Sequence, residues 1–383
     1  MPYLFETEEH AAIRASIRRF AQTHIAPYGA EWEENEEFPV ELYKTACDAK
    51  VVGIGYPESV GGQGGDLSHV LAGSDEMVIA GRSVGTIVGL GSHGIALPPI
   101  IRFGTPEQCE RFVRPCLEKG KIAALAVTEP GGGSDVASLT TKAERDGDHY
   151  IISGAKTFIT SGSRADFVTT AVRTGGPGHG GISMIVIERG TPGFSVGKKL
   201  RKTGWWASDT AELHFDQCRV PVANRIGPEH GAFPIIMSNF ASERLMLAGQ
   251  CVAIAELAYR ESIAYSQERK AFGKALTGFQ VTRHKLADMA SRLAAARALT
   301  GEAVTRVMRP GGEMQAAGLA AMAKNVATDA CSFVCDQAVQ LHGGYGYMRE
   351  TLVERLYRDA RLYPIGGGTR EIMNEVIAKI EGY

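Results

Sequence analysis

The spacing of apolar residues changes twice along the 383-residue chain, and this change restricts the fold more than any other feature. Over residues 1–120 the apolar positions recur at helical spacing, with one stripe that begins at Ile13. Over residues 121–230 the period shortens to two, which is typical of strands. Long helical patterns return over residues 231–383. We therefore predict an α+β protein with an N-terminal helical domain, a middle β domain and a C-terminal helical bundle.

The middle segment reads as an antiparallel sheet. Asp146-Gly147 stands between two alternating runs, which is a hairpin signal, and no helical pattern separates the strands that follow. This arrangement predicts an antiparallel barrel or sandwich. The C-terminal segment carries three long helical patterns, Phe233 to Glu268, Gly278 to Met308 and Glu313 to Leu341, joined by short connections. Such helices pack as an antiparallel four-helix bundle.

Composition excludes several classes of function. The net charge is −2 without a basic run, so we expect no nucleic-acid partner. The seven cysteines are scattered and lack partners at zinc spacing, so we expect no metal and reduced thiols in a cytoplasmic protein. The N-terminus has no signal-peptide pattern. The apolar stretch from Val84 to Ile101 contains glycines, His93 and a Pro pair, so we interpret it as a buried helix without a membrane span.

One carboxylate lies where folding does not need it. Glu243 is followed by Met246, Leu247 and Gln250 at three, four and seven residues, so it shares a helical face with apolar neighbours. A carboxyl group on such a face loses hydration, and its pKa and basicity should rise. A salt bridge to a lysine or arginine is the structural alternative.

Two runs in the β segment could hold an electron-rich ligand. Thr128 to Asp135 contains three consecutive glycines, whose backbone N–H groups can approach a ligand closely. This run opens no helix and belongs to no βαβ unit, so it is no dinucleotide fingerprint. In the run Lys156 to Gly162, Phe158 and Thr160 are two residues apart and should share a strand face, which suits a flat heteroaromatic ring. An ordinary turn and a half-buried strand are the structural alternatives.

With these motifs the chain resembles the acyl-CoA dehydrogenase family over essentially its whole length. Five motifs match in order: Thr128 to Asp135, Lys156 to Gly162, Ser208 to Thr210, Glu268 to Gly273, and Gln340 to Gly346. The resemblance implies an FAD enzyme that converts an acyl-CoA thioester into a trans-2-enoyl-CoA, in fatty-acid or branched-chain acyl degradation. It also implies that electrons pass to an electron-transferring flavoprotein.

The resemblance assigns cofactor roles to residues in two parts of the chain. In the β segment, Thr128 and Thr160 would hydrogen-bond the flavin ring, Phe158 would pack beside it, and Ser134 would lie near both flavin and acyl-CoA. The remaining cofactor residues, which would meet the FAD of a neighbouring subunit or the turn beside it, are Arg269, Phe272, Gln280, Gln340, Gly344 and Thr369. Such sharing implies a homotetramer built as a dimer of dimers.

The resemblance also identifies the base. The family's commonest catalytic position is Gly367 in this chain, whereas Glu243 stands where isovaleryl- and long-chain-type members carry their glutamate. Glu243 would take the α-proton while the β-hydride passes to flavin N5. Arg244 would lie near the CoA moiety, and the turn at Gly367 and Gly368 would contact the substrate, with the Gly367 N–H donating to the thioester oxygen.

Two departures and two alternatives remain open at this stage. Ala271 replaces a common threonine, and Trp206 stands where many relatives have a basic residue, which leaves contacts to FAD or CoA in doubt. A flavin oxidase or monooxygenase of the same fold is the first alternative. A catalytically silent acyl-CoA-binding scaffold is the second, and Gly367 favours it while Glu243 opposes it. The glycines at 366 and 367 are compatible with long, branched or bulky acyl chains.

Overall fold

A computed structural model describes residues 2–383 and begins with a helical region. Its helices are α1 Glu8–His24, α2 Gly29–Glu34, α3 Glu41–Asp48, α4 Leu67–Gly81, α5 Val84–Leu90, α6 His93–Ala96, α7 Pro98–Phe103, α8 Pro106–Gln108 and α9 Arg114–Lys119. A π-helical turn, Cys109–Val113, joins the last two. Helix starts follow the local sequence: the Thr105 hydroxyl accepts the Gln108 N–H and the Gln108 side chain accepts the Thr105 N–H, which forms a capping box.

The middle region is one eight-stranded sheet. Its strands are β1 Ala123–Ala126, β2 Lys142–Asp146, β3 His149–Thr160, β4 Phe167–Arg173, β5 Ile182–Glu188, β6 Phe194–Lys199, β7 Thr210–Pro221 and β8 Arg225–Ile226. The order is β6-β7-β3-β2-β4-β5-β8, with β1 beside β4. Asp146 pairs with His149 across the predicted hairpin. The sheet is mainly antiparallel, as predicted. The exceptions, which the sequence did not indicate, are β1, which runs parallel to β4, and a single parallel pair between β2 and β4.

The C-terminal region is a helical bundle. Its elements are α10 Ala232–Glu268, the two-stranded hairpin β9 Lys270–Ala271 and β10 Lys274–Ala275, α11 Gln280–Val307, α12 Gly312–Gln315, α13 Ala317–His342, α14 Leu352–Ala360 and α15 Arg370–Glu381. Helix α13 packs against α10, α11, α14 and α15 and is therefore the centre of the bundle. The third predicted helix is divided at residue 316 into α12 and α13.

One apolar stretch, Val84–Phe103, is long and apolar enough to cross a membrane by length and composition alone. It is divided into α5, α6 and α7, and 67% of its most apolar window is buried within the protein. The burial is that of a core segment. The predicted burial is confirmed, but the stretch forms three short helices where one was expected.

Shared apolar cores join the three regions. Phe38 and Tyr43 from the N-terminal region pack in one core with the β strands, and Val78 and Ile87 pack in another with α10 and α13. A third core joins α7 and α9 to β5 and to the first turns of α10. All three regions therefore meet around the first half of α10, which contains Glu243.

Candidate active site

Glu243 lies in the fourth turn of α10 and faces the turn before α15. A Cβ on Gly367 would lie 3.4 Å from Glu243 Oε1, so the two positions face each other across one small space. Glu243 Oε2 is fully shielded and has no hydrogen-bond partner among residues 2–383. Burial raises the pKa of this carboxyl to about 7, against the smaller lowering effects of the Arg244 and Lys324 charges. The group is a desolvated carboxylate with a free oxygen.

The facing turn is formed by Gly366, Gly367 and Gly368. Gly367 and Gly368 have φ of 65° and 97°, in the left-handed region that favours glycine. A Cβ on Gly367 would lie 2.5 Å from Leu247 Cδ1, so Leu247 fills the space that a side chain there would need. Across the described chain, no backbone or side-chain acceptor receives the Gly367 N–H. The turn therefore presents a free donor beside the carboxylate.

Arg244 lies against the same turn. Only 8% of the residue is exposed, and its Nη2 would lie 3.9 Å from a Cβ on Gly368. The guanidinium carbon stacks 5.5 Å from the centre of the Phe240 ring, and within residues 2–383 the Nε has no hydrogen-bond partner. A buried guanidinium with an unused donor suits a carbonyl or anionic ligand, and the site combines it with a base and a free amide.

The two glycine- and threonine-containing motifs of the β region form one unit. The Thr157 N–H donates to the Thr128 carbonyl at 2.9 Å. Lys156 Nζ donates to the Glu129 carboxylate at 2.9 Å, and that carboxylate also accepts the Thr141 N–H at 2.8 Å. Lys156 and Glu129 are both buried, so this ion pair fixes the position of Thr128 relative to the second motif.

A β-bulge determines how Phe158 is presented. The pairing of β3 with β7 shifts between Lys156 and Ile159, and Phe158 has φ of 59°. The prediction that Phe158 and Thr160 share a face by simple strand alternation is therefore wrong, because the bulge interrupts the alternation. Phe158 is 67% exposed, while Thr160 is half-buried. Ser134 is exposed on the glycine-rich turn, where the neighbouring glycines Gly131 and Gly132 have open space around them.

The remaining residues that the sequence predicts for cofactor binding form a second group at one end of the bundle. Arg269 is exposed and caps α10, and Phe272 is 97% exposed in the β9–β10 hairpin. Gln280 begins α11, while Gln340 and Gly344 lie at the end of α13, where the Tyr265 ring stacks on His342 at 4.2 Å. Within residues 2–383 no hydrogen bond, ion pair or ring contact joins this group to Thr128, Phe158 or Thr160.

Two residues singled out in the sequence have other contacts. Thr369 is the N-cap of α15, where its hydroxyl oxygen accepts the Ile372 N–H at 3.3 Å. Trp206 lies between two arginines, with Arg349 at 4.3 Å and Arg358 at 3.8 Å from its ring. Ala271 lies in β9, paired with Lys274.

Sequence reasoning missed Lys324. This residue is 1% exposed, and its ammonium group donates to the carbonyls of Gly366, at 2.6 Å, and Gly368. The available signal was the one used for Glu243, a charged residue in an apolar helical run, because alanines at 320, 321 and 323 precede Lys324. Glu129 was also missed, although it adjoins Thr128 in a motif that was noted.

Three family models together match most of the chain. They are described as "Acyl-CoA dehydrogenase, N-terminal domain" at residues 7–119, "Acyl-CoA dehydrogenase, middle domain" at 124–218 and "Acyl-CoA dehydrogenase, C-terminal domain" at 231–381. A curated relative, the mitochondrial isobutyryl-CoA dehydrogenase of Bos taurus, is 38% identical over 99% of this chain and 90% of its own.

Solved structures are similar over the whole chain. A putative acyl-CoA dehydrogenase from Mycobacterium smegmatis has a TM-score of 0.96 and 46% identity, covering 99% of each chain. An acyl-CoA dehydrogenase from Bacillus anthracis complexed with FAD has a TM-score of 0.93 and 28% identity, covering 100% of this chain and 69% of its own. These similarities extend across the helical, β and bundle regions alike.

Proposed function

The chain belongs to the acyl-CoA dehydrogenase family, an FAD-dependent family of oxidoreductases, and on this basis we propose which of its residues carry the reaction. The proposed reaction is α,β-desaturation of an acyl-CoA thioester to the trans-2-enoyl-CoA. Glu243 takes the α-proton. The observation that supports this most directly is the shielded, unpartnered Oε2 of Glu243 opposite the Gly367 turn.

The environment of Glu243 suits a general base. A base works best when its pKa lies near the operating pH, and burial brings that of Glu243 to about 7. The neighbouring Arg244 and Lys324 charges keep a useful fraction ionised at neutral pH. The apolar neighbour Leu247 excludes water from the same space, so the α-proton passes to Oε2 without competition from solvent.

The turn at Gly367 suits stabilisation of the negative charge that proton removal creates. As the α-proton leaves, negative charge develops on the thioester oxygen, and a fixed N–H donor stabilises it. The Gly367 N–H is the free donor beside Glu243, and the Arg244 guanidinium supplies positive charge near Gly368. The chemistry that FAD supplies when bound is acceptance of the Cβ hydride at flavin N5.

The two cofactor groups fit the two ends of FAD. Thr128, Thr160 and the exposed Phe158 offer hydrogen bonds and an aromatic surface to the flavin ring, with Ser134 close to the acyl group. The second group offers Arg269 to the pyrophosphate, with Phe272, Gln280, Gln340 and Gly344 around the adenine end. Because no contact joins the groups within the described residues of one chain, we propose that neighbouring subunits complete each site in a homotetramer, a dimer of dimers.

The remaining proposals concern context. We propose domains at 1–120, 121–230 and 231–383, and electron transfer to an electron-transferring flavoprotein. We also propose a role in lipid metabolism and a cytoplasmic location, which suits the seven free, buried cysteines.

The acyl group is one that fits beside Leu247. The room expected from Gly366 and Gly367 is partly filled by that side chain, which corrects the argument for bulky substrates at this point.

The test is Glu243→Gln, which keeps the shape of the side chain and removes its basicity. In anaerobic stopped-flow with a panel of acyl-CoA thioesters, flavin reduction should slow by roughly 10²–10⁴-fold, while FAD content and acyl-CoA binding stay near wild type. Glu261→Gln is the matched control, because Glu261 lies on the same helix and pairs with Arg82 far from the turn. Normal flavin reduction by Glu243→Gln would show that another group takes the proton.

The same preparation separates the alternatives. Rapid reoxidation of the substrate-reduced enzyme by air would favour an oxidase. Reoxidation by an electron-transferring flavoprotein, with slow reaction in air, supports the proposed acceptor. Tight acyl-CoA binding without flavin reduction by the wild-type protein would favour the silent scaffold.

A further inference from the structure

Lys324 connects the centre of the bundle to the catalytic turn. It lies on α13, 42 residues before Gly366, and its ammonium group is enclosed by protein. Two of its three protons go to the carbonyls of Gly366 and Gly368, the residues on either side of Gly367. Burying an ammonium group costs desolvation free energy, and here that group donates to two carbonyls of one glycine turn. This arrangement points to a function for the conformation of the turn.

The contact of Lys324 with the Gly366 carbonyl fixes the direction of the Gly367 N–H, because both groups belong to one planar peptide. In a trans peptide the carbonyl of one residue and the N–H of the next point in opposite directions. Lys324 holds the Gly366 carbonyl, so the Gly367 N–H of the same peptide must point away from Lys324. That N–H is the one left without an acceptor in the described chain. Three consecutive glycines would otherwise allow this peptide to rotate, because glycine populates many backbone conformations.

We propose that Lys324 is a positioning residue, which holds the peptide between Gly366 and Gly367 so that its N–H is presented to the thioester oxygen. The proposal rests on the acyl-CoA dehydrogenation proposed above. Lys324 touches neither substrate nor cofactor in this role. It acts through the turn, and the second contact, to Gly368, prevents the turn from pivoting about the first.

A competing role must be separated from this one. Lys324 also lies near Glu243 and Arg244, and its charge helps to lower the pKa of Glu243. Lys324 would then be only a counter-charge for the base. Burial lowers the pKa of Lys324 itself to about 8, so the side chain is still mainly charged at pH 7 and both roles are available.

The test uses holoenzyme carrying Lys324→Met, which removes charge and donors, and Lys324→Gln, which removes charge but keeps an N–H₂ donor. Asn325→Ala is the matched control: Asn325 is adjacent on α13 and bonds Asn374 on α15, so its loss loosens the same helix pair without touching the turn. We expect Lys324→Met to slow flavin reduction by about 10-fold or more, up to the roughly 10²–10³-fold cost of a lost oxyanion donor. FAD content and KM should change little.

A spectroscopic readout reports the hydrogen bond itself. In a Glu243→Gln background, which prevents turnover, an acyl-CoA labelled with ¹³C at the thioester carbonyl is bound and its C=O stretch recorded by infrared difference spectroscopy. The stretch should lie at lower frequency in Glu243→Gln and in Glu243→Gln/Asn325→Ala than in Glu243→Gln/Lys324→Met. In rate, Lys324→Gln should lie between wild type and Lys324→Met, and in carbonyl frequency Glu243→Gln/Lys324→Gln should lie between Glu243→Gln and Glu243→Gln/Lys324→Met.

The contrary results are distinct. Lys324 is only a counter-charge, and the positioning role is wrong, if Lys324→Met shifts the pH profile while Glu243→Gln/Lys324→Met keeps the carbonyl frequency of Glu243→Gln. Lys324→Gln takes the place of Lys324→Met in both measurements should the latter not fold. If no acyl-CoA thioester in the panel reduces the flavin of the wild-type enzyme, the proposed function itself is wrong. If the wild-type enzyme is active and the Lys324 variants keep its rate of flavin reduction, only the Lys324 proposal is wrong.

Discussion

At the scale of single residues, Glu243 depends on two nearby cations. Its desolvation favours the neutral acid, while Arg244 and Lys324 favour the carboxylate, and desolvation is the larger effect. The balance leaves the carboxyl near its ionisation point at neutral pH. A small change in either cation therefore alters how much base is available.

The first prediction concerns pH. Because the proposed base, Glu243, must be ionised, kcat/KM should rise with pH through about 7 and then level off, since below that pH Glu243 is protonated. Arg244→Gln removes the larger of the two lowering charges, so the rising limb should move to higher pH. The measurement is the pH profile of kcat/KM for both enzymes. A limb that stays in place would show that Arg244 does not act on the base.

The second prediction concerns the position of the base. In Glu243→Gln, adding Gly367→Glu should not restore flavin reduction, because the new Cβ would lie 2.5 Å from Leu247 Cδ1 and the backbone has φ of 65°. Adding Leu247→Ala as well removes the steric clash but not the backbone strain, and should restore a small part of the rate. Stopped-flow flavin reduction checks both. Full recovery in the double variant would mean that the turn adapts easily.

The sequence could indicate a role for Glu243, but for Lys324 it could show only a charged residue in an apolar helical run and not what that residue contacts. Glu243 conflicts with its own helical neighbours, and that conflict is visible within one turn of sequence. The role of Lys324 arises from contacts with carbonyls more than 40 positions away, which depend on how α13 packs against the turn. The same applies to the ion pair of Lys156 with Glu129, since only the folded sheet brings its partners together.

At the scale of elements, two helices hold the loop before β7. Glu33 of α2 accepts the backbone N–H groups of Trp206 and Ala207, at 3.2 and 3.3 Å, and Asp359 of α14 accepts that of Trp205 at 2.6 Å. Burial raises the pKa of both carboxyls. The charge of Glu33 raises the pKa of Asp359 further, whereas the Ala207 N–H and the arginines of α14 partly lower the pKa of Glu33. The loop is therefore tied to two other regions through buried acids.

The third prediction follows from those acids. A carboxyl whose pKa is raised on folding stabilises the fold at low pH, and this contribution is lost as pH rises through the folded pKa. The melting temperature should therefore fall between about pH 5 and 8, and Asp359→Asn, which keeps an acceptor for the Trp205 N–H, should flatten that fall. Thermal melts across this range check it. Asp329→Asn, at an exposed ion pair with Arg370, should leave the slope unchanged.

Periodicity predicted the elements well and their irregularities poorly. The long helices, the Asp146-Gly147 hairpin and the Thr105 helix start all follow from local chemistry. The bulge at Phe158, the parallel placement of β1 and the break before α13 do not, because each depends on a neighbouring element. Phe158 illustrates this: strand alternation predicted its face, but a left-handed residue within a bulge determines its exposure.

At the scale of the whole molecule, the proposed cofactor residues form two groups between which residues 2–383 show no contact. The fourth prediction is that Arg269→Ala weakens FAD binding and subunit association together, because one side chain would serve both. Arg309→Ala is the control: it is also exposed, but it lies past the other end of α11, about 42 Å away along a helix of 28 residues. FAD content and sedimentation measure both effects. A monomer that retains full FAD would contradict the shared site.

The single helix α10 fixes the distance and the relative orientation of Glu243 and Arg269. It carries Glu243 near its start and Arg269 at its end, 26 residues and about 39 Å apart, without a break. One inserted residue would turn everything beyond it by about 100°. We therefore expect an alanine inserted after Ala258 to abolish FAD binding, whereas one inserted after Gly190, in a turn with open space, should leave spectrum and activity intact. Over this span the chain should accept changes of residue identity but not of length.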